Sequence, residues 1–448
     1  MGIRGLGTCI KKYGPELYLE KPLIDYYGSI IAIDSEILVY KYKAYSNKQT
    51  DYDPSVYHLH AFLNNAISYL KNNIVPVYVF DGGGAPIAKQ NNCLAKRYEL
   101  KEKTKTKIND LENKFLEKCS KKNGQITDDE TTSINKYLAD SETLDILDQL
   151  LKVHNNNPII TKEYRAECKY FLKLLGLPII IANGEAEVVC VKLVKNGLAD
   201  YVFTEDSDSI VYGLSIDKNI DKDVCILKKS DNSNNIIEIS SKKVLEKIGL
   251  SREEFVDYCI LSGCDYCSTI PRIGPITALK IIKEYKSIEK YIQEKDISVH
   301  ESFNYIDARD VFFNPQVSIS DICPLIVKEP DLLNLKNFLI DEKKIVRPLN
   351  SMINKWINVV NDYKKINQKI NQKINQKINQ KINQDQDQDQ EIGQEIGQEI
   401  GQEIGQEMEK EMEMEKEKEM EQIKKKNKIS IKKIKYVSSY VTIDMFRT

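Results

Sequence analysis

The chain has 448 residues, 29% of them charged, with a formal net charge of −2. That length allows a sizeable core with extensions, and the balanced charge excludes a uniformly basic nucleic-acid binder. Ten scattered cysteines form no disulfide framework, and no apolar run approaches the ~18 residues of a membrane span. A soluble protein of a reducing compartment, with no membrane partner, is expected. The start MGIRGL lacks the Ser or Thr of a myristoylation site, since Leu6 stands there.

Residues 23–210 alternate apolar strand-like runs with helix-like segments. The expected strands are Ser29–Ile33, Val75–Phe80, Ile179–Ala182 and Tyr201–Thr204. HLHAFLNNAISYLKNN and EAEVVCVKLVKNG have helical spacing, the second stopping at Gly197. This alternation predicts an α/β fold: a mostly parallel central sheet with helices on both faces. Residues 89–122 are basic and helix-like, and a polar stretch follows to about residue 150. In 251–287, Ser251 and Glu254 make a capping-box pattern. A turn with Pro271, Gly274 and Pro275 then leads to a second helix, a unit suited to offering backbone N–H groups to phosphate. Cys264 and Cys267 form one CxxC, but no second pair or nearby His completes a zinc set.

Past residue 362 come repeats of KINQ, DQ and EIGQ, then a Glu/Lys/Met run and a basic end. A four-residue repeat advances about 400° on a helix, so its Ile residues hold no stripe. Glycine in each EIGQ unit weakens helix further. Residues 363–425 are expected to be low-complexity and mainly disordered.

Seven carboxylates stand out: Asp34, Asp81, Glu185, Glu187, Asp206, Asp208 and Asp265. A lone Asp after a strand is usually a cap or a turn residue, and Glu185 and Glu187 suit a helix N-terminus. On a regular helix those two would point about 200° apart, so convergence needs an irregular first turn after Gly184. The set weighs more than its members. Such sheets bind ligands beyond the carboxyl ends of their strands, where these acids fall. Gathered carboxylates repel, and protonation or bound cations relieve them. Two hard divalent ions acting on a phosphate ester fit best.

With these motifs in hand, the chain resembles the flap endonucleases of the XPG-like structure-specific 5′-nuclease family. MGIRGL, AID followed by Tyr40, PVYVFDG, ECKYFLKLLGLP, GEAE, TEDSD, FVDYCILSGCDYCSTIPRIGP and RDVFFNP match in order, over roughly residues 1–358. The resemblance implies an N-terminal nuclease region (1–105), a helical arch with an insert (106–160), an internal nuclease region (161–250), a helix-hairpin-helix DNA-binding region (251–360) and a tail (361–448). It implies two Mg²⁺, with Mn²⁺ as a substitute. Asp34, Asp81, Glu185 and Glu187 would surround the first ion, and Asp206, Asp208 and Asp265 the second, with Glu187 close to both. Lys89 and Arg97 would neutralise the scissile phosphate. Tyr40 would stack on a base, Gly2 would lie at the DNA junction, and Thr269, Arg272 and Gly274 would grip duplex, with K⁺ at the hairpin. The basic excursion would be the arch that a 5′ end threads.

Three departures qualify the likeness. The hairpin reads Arg272-Ile273-Gly274 where the family has Gly-Ile-Gly, DPSVYHLH matches the family's 3′-flap pocket poorly, and Thr442–Phe446 is only a remnant of its sliding-clamp motif. The expected activity is cleavage of 5′ flaps and nicked or gapped duplex in replication and repair, with 5′–3′ exonuclease activity, by a nuclear monomer or at a viral replication site. The rivals are a mismatch-repair exonuclease or junction resolvase of the same family, a related RNase, and an inactive DNA-binding scaffold.

Overall fold

The computed structural model describes residues 2–46, 53, 55–83, 102–114, 145–146, 149, 160–217, 219–231, 235–319, 325–343 and 349–384. Seven strands make one mixed sheet: β1 (Leu19–Pro22), β2 (Ile30–Asp34), β3 (Val75–Phe80), β4 (Ile179–Ile181), β5 (Tyr201–Phe203), β6 (Cys225–Lys229) and β7 (Asn235–Ser240). Their spatial order is β1-β7-β6-β5-β2-β3-β4. The five strands from β6 to β4 run parallel, and β7 and β1 add antiparallel pairs at one edge. The centre is apolar because both of its faces are covered: Ile31, Ala32, Ile33 and Val77–Phe80 are fully buried. The expected strands are present to within a residue at their ends.

The helices begin with α1 (Leu6–Tyr13), α2 (Ser35–Ser46), α3 (Tyr57–Lys71), α4 (102–114), α5 (Lys162–Leu174), α6 (Ala186–Lys195) and α7 (Asp208–Ser215). They continue as α8 (Ser241–Ile248), α9 (Arg252–Ser262), α10 (Pro275–Tyr285), α11 (Ile288–Glu294), α12 (Tyr305–Phe313), α13 (Leu332–Asn337) and α14 (Leu349–Gln384). The α9 N-terminus carries the full Ser251–Glu254 capping box. Gly197 follows α6 with φ 73°, the left-handed stop its position predicts. On α9, buried Asp257 takes the Arg309 guanidinium of α12 at 2.7 Å and the Ile288 N–H of α11 at 3.1 Å. One carboxylate thus ties three helices.

Strands from 1–105 and from 161–250 interleave in one sheet, so these regions build a single body. The compact units are Met1–Tyr363 and Lys364–Thr448. The tail expectation needs correction over 363–384, because α14 runs through the KINQ repeats to Gln384. The reason is local. The first turns of α14 are anchored by Trp356, fully buried with its indole N–H on the Leu175 carbonyl at 3.2 Å. That anchoring supplies the helix nucleus, and KINQ contains no Gly or Pro to stop propagation. The DQ and EIGQ repeats, the Thr442–Phe446 remnant and nearly all of the 119–150 insert lie outside the described residues.

Candidate active site

The acids assemble where strand order reverses around β2, at the carboxyl ends of adjacent parallel strands. Asp34 ends β2, and Asp81 follows β3 directly. Glu185 and Glu187 open α6 after β4, and Asp206 and Asp208 lie between β5 and α7. Asp34, Glu185, Glu187, Asp206 and Asp208 are buried. The irregular turn needed after Gly184 is present: Glu185 is the extended N-cap of α6, with φ −86° and ψ 135°. Gly82 makes the approach possible, since a Cβ there would overlap the Ala182 carbonyl at the end of β4. Its N–H bonds the Gly184 carbonyl at 3.1 Å.

Hydrogen bonds lock the frame. Asp81 Oδ1 accepts the Ala186 N–H at 2.8 Å. Thr204 Oγ1 donates to Asp34 Oδ2 at 3.0 Å and accepts the Asp206 N–H at 3.1 Å. Asp206 Oδ1 accepts the Asp208 N–H at 3.1 Å. Burial, with Glu187, Asp81 and Asp206 close by, pushes the Asp34 carboxyl well above the usual carboxylate range. Two like charges 4 Å apart cost roughly 4 kcal/mol at an effective dielectric of 20, so this rim calls for positive charge.

The donor set fits hard divalent cations: it is all oxygen, with neighbouring carboxylates contributed by different strands. Among the described residues, no three Asp, Glu, His or Cys side chains close on one point as a finished cage. Asp265 lies in the loop after α9, half-buried, beside Tyr266. Tyr266 reaches into the cluster: its hydroxyl lies 3.1 Å from Glu185 Oε2 and 3.4 Å from Asp208 Oδ2. Burial, Tyr212 and the nearby acids hold this phenol well above its ordinary range, so it keeps its proton.

Gly2 packs directly against the rim. It has φ 86°, and a Cβ there would overlap Asp206 Oδ1 and come within 2.8 Å of Asp208 Oδ1. The Ser207 hydroxyl accepts the Ile3 N–H at 2.8 Å, pinning the N-terminal segment against the rim. Tyr40 is 38% exposed on α2, with the Arg165 guanidinium 5.9 Å from its ring centroid. Arg165 is itself tied to Glu36 at 2.8 Å. Lys89 and Arg97 lie outside the described residues.

In the loop between α9 and α10, Thr269 is exposed, with its methyl 2.9 Å from where a Gly263 Cβ would lie. Arg272 is exposed with φ 67°, so it occupies the left-handed conformation that favours glycine. Gly274 is the extended N-cap of α10.

Sequence reading missed Tyr266, Tyr212, Thr204, Ser207 and Lys228. Lys228 sits near Asp206 and Glu205, and burial pulls its ammonium below the ordinary lysine range against their attraction. It lines a cleft of about 940 Å³ with Lys11, Lys41, Lys229 and Tyr45. Only the register of β6 against β5 reveals it.

An α/β sheet with this acid rim defines the class of XPG-type nucleases, enzymes that hydrolyse phosphodiesters. The XPG N-terminal domain family matches residues 1–104 and the XPG I-region family matches 176–265. Flap endonuclease 1 of Entamoeba dispar is 32% identical over 356 residues, covering 77% of this chain and 84% of that protein. Flap endonuclease 1 of Cryptosporidium muris is 35% identical over 330 residues, covering 71% of this chain but 63% of that longer protein. The chain belongs to the XPG-like flap endonuclease family. Its fold is shared with the catalytic core of Rad2 in complex with DNA substrate: TM-score 0.56 at 18% identity, over 80% of this chain and 100% of that one. It is also shared with human GEN1 in complex with Holliday junction DNA: TM-score 0.52 at 18% identity, over 82% and 80%.

Proposed function

We propose that this protein is a structure-specific, Mg²⁺-dependent DNA endonuclease that removes 5′ flaps in replication and repair, and also trims 5′ ends. The observation that carries this reading is the rim of buried acids at adjacent strand ends, with Gly2 packed against it. Asp34, Asp81, Glu185 and Glu187 would hold one ion, and Asp206, Asp208 and Asp265 the other. When bound, the ions supply an activated water near neutral pH and charge neutralisation at the leaving oxygen.

The chain's own residues do the rest. The glycine at position 2 lets the N-terminal segment pack against Asp206 and Asp208, where the DNA junction would lie. Tyr40 offers an exposed ring for a base, a contact worth about 1–3 kcal/mol and tolerant of sequence. Lys11, Lys41, Lys228 and Lys229 line a cleft suited to a phosphate backbone. Lys89 and Arg97 would neutralise the phosphate under attack. Arg272 and Gly274 would meet the duplex, and K⁺ at Thr269 stands as an expectation of the family likeness. The products would be a 5′-phosphate and a 3′-hydroxyl, made by a nuclear monomer.

The test is a 5′-labelled double-flap substrate with Mg²⁺, against EDTA and against nicked, gapped, four-way and single-stranded controls. Release of the intact flap, only with Mg²⁺, is expected. Preferential digestion of nicked duplex from its end would assign a mismatch-repair exonuclease instead, and preferential cutting of the four-way junction a resolvase. No cleavage of any substrate would leave a DNA-binding scaffold.

A further inference from the structure

The acid rim is held from behind by a pair of phenols. Tyr266 is buried between two acids from different elements, Glu185 at the start of α6 and Asp208 at the start of α7. Its hydroxyl also meets the Tyr212 hydroxyl at 2.6 Å. Tyr212 lies one helical turn beyond Asp208 on α7 and is fully buried. Both rings pack on Phe312 of α12, Tyr266 edge-on with centroids 5.0 Å apart and Tyr212 tilted at 5.4 Å. The Phe312 carbonyl is in turn fixed by the Ser215 hydroxyl at 2.6 Å.

A phenol has one proton to give and can also accept. Donation from Tyr212 to the Tyr266 oxygen leaves the Tyr266 proton for the carboxylates. Glu185 and Asp208 therefore stand within reach of a single donor, although the two-ion reading places them on different ions.

We propose that Tyr266 is a positioning residue that sets the spacing of the two ion sites by bridging a carboxylate of each, with Tyr212 orienting its hydroxyl. This rests on the two-ion reading above. In this role the phenol acts through the carboxylates it bridges. It fixes two carboxylates whose mutual repulsion would otherwise splay them, as groups behind a metal's ligands commonly do. Because Tyr266 follows Asp265 in the loop that continues to Arg272, the same residue joins the duplex-facing hairpin to the rim.

The experiment compares the full-length chain with Tyr266→Phe and Tyr212→Phe, in which both rings, and so the packing on Phe312, are kept. Mn²⁺ binding is followed by the electron paramagnetic resonance of free Mn²⁺, without DNA. Flap binding is measured separately in EDTA. Wild type should hold two ions. Tyr266→Phe should weaken Mn²⁺ binding roughly 10- to 100-fold, leave flap affinity in EDTA unchanged, and regain cleavage as Mg²⁺ is raised. Tyr212→Phe should shift the isotherm the same way by less, which keeps a readout should Tyr266→Phe fail to fold. Two ions in wild type with superimposable isotherms in the variants would overturn the bridging role alone. One ion or none in wild type would overturn the two-ion reading and the bridge with it.

Discussion

Asp34, Glu185, Glu187, Asp206 and Asp208 are buried like charges fixed at strand and helix ends, whereas Arg272 is an exposed cation in a left-handed turn. Both arrangements are unfavourable locally, and the surrounding fold enforces both. The acid rim gains from what binds it, since a cation cancels the repulsion. The hairpin's cost, about 1–2 kcal/mol for a non-glycine residue in this conformation, remains whether or not DNA is present. Burial thus marks a position where the ligand completes the structure, and exposure marks one where only the ligand's affinity is adjusted.

The contrast can be broken most sharply at the rim. Asp206→Ala should reduce flap cleavage by on the order of 10³-fold or more, several kcal/mol of transition-state stabilisation. Flap binding, measured by gel shift in Ca²⁺ or EDTA, should stay largely intact. Cleavage at wild-type rates would remove the metal assignment. Next comes Gly2→Ala, whose Cβ would collide with Asp206 Oδ1. Misplacing a reacting group by about 1 Å can cost 10²-fold, and single-turnover cleavage should fall by about that factor.

A smaller effect tests the repulsion itself. The Asp34 carboxyl is raised in the folded state above its ordinary value of 3.8, chiefly by burial. Without divalent ions, its contribution to stability is therefore lost as pH rises from that value through the folded pKa. Asp34→Asn removes the charge and keeps an acceptor for Thr204. In EDTA its thermal midpoint should exceed wild type by a few degrees near pH 8, and the gain should vanish below about pH 4, where wild type is protonated in both states. A constant difference across that range would show that charge is not the cause. The mildest change is Arg272→Gly. Relief of backbone strain and the added freedom of the unfolded chain nearly cancel, leaving stability within about 1 kcal/mol. If Arg272 meets a phosphate, the slope of log K against log salt should fall by about one.

Much of this frame was legible in the sequence because strand-end acids and apolar runs are local signals. Val75–Phe80 reads as a strand from its own composition, and Ser251 with Glu254 reads as a helix start. Strands β1 and β6 were not legible: Leu19–Pro22 is polar and contains Pro22, and β6 ends in two lysines. Leu19–Pro22 becomes strand by pairing with β7, a segment distant in sequence, and β6 by pairing with β7 and with β5. Tyr266 was missed for the same reason. Its neighbour Asp265 carries the motif, and only packing on Phe312 turns its hydroxyl to the acids. The helix through KINQ was missed because repeat composition was weighed without the Trp356 anchor that nucleates it.

Strand order has a consequence for how the protein is made. Central β2 pairs with β3 on one side and with β5 on the other. Residues 30–34 therefore leave the ribosome long before their second partner, Tyr201–Phe203, is synthesised. At about 5–20 residues per second, that wait is on the order of ten seconds or more. During it, one edge of the central strand has no partner, and the acids that it will share with β5 are still apart. The nascent chain is then most exposed to aggregation and most dependent on chaperones. The nuclease centre can form only after most of the body has been synthesised, so incomplete chains carry no assembled site.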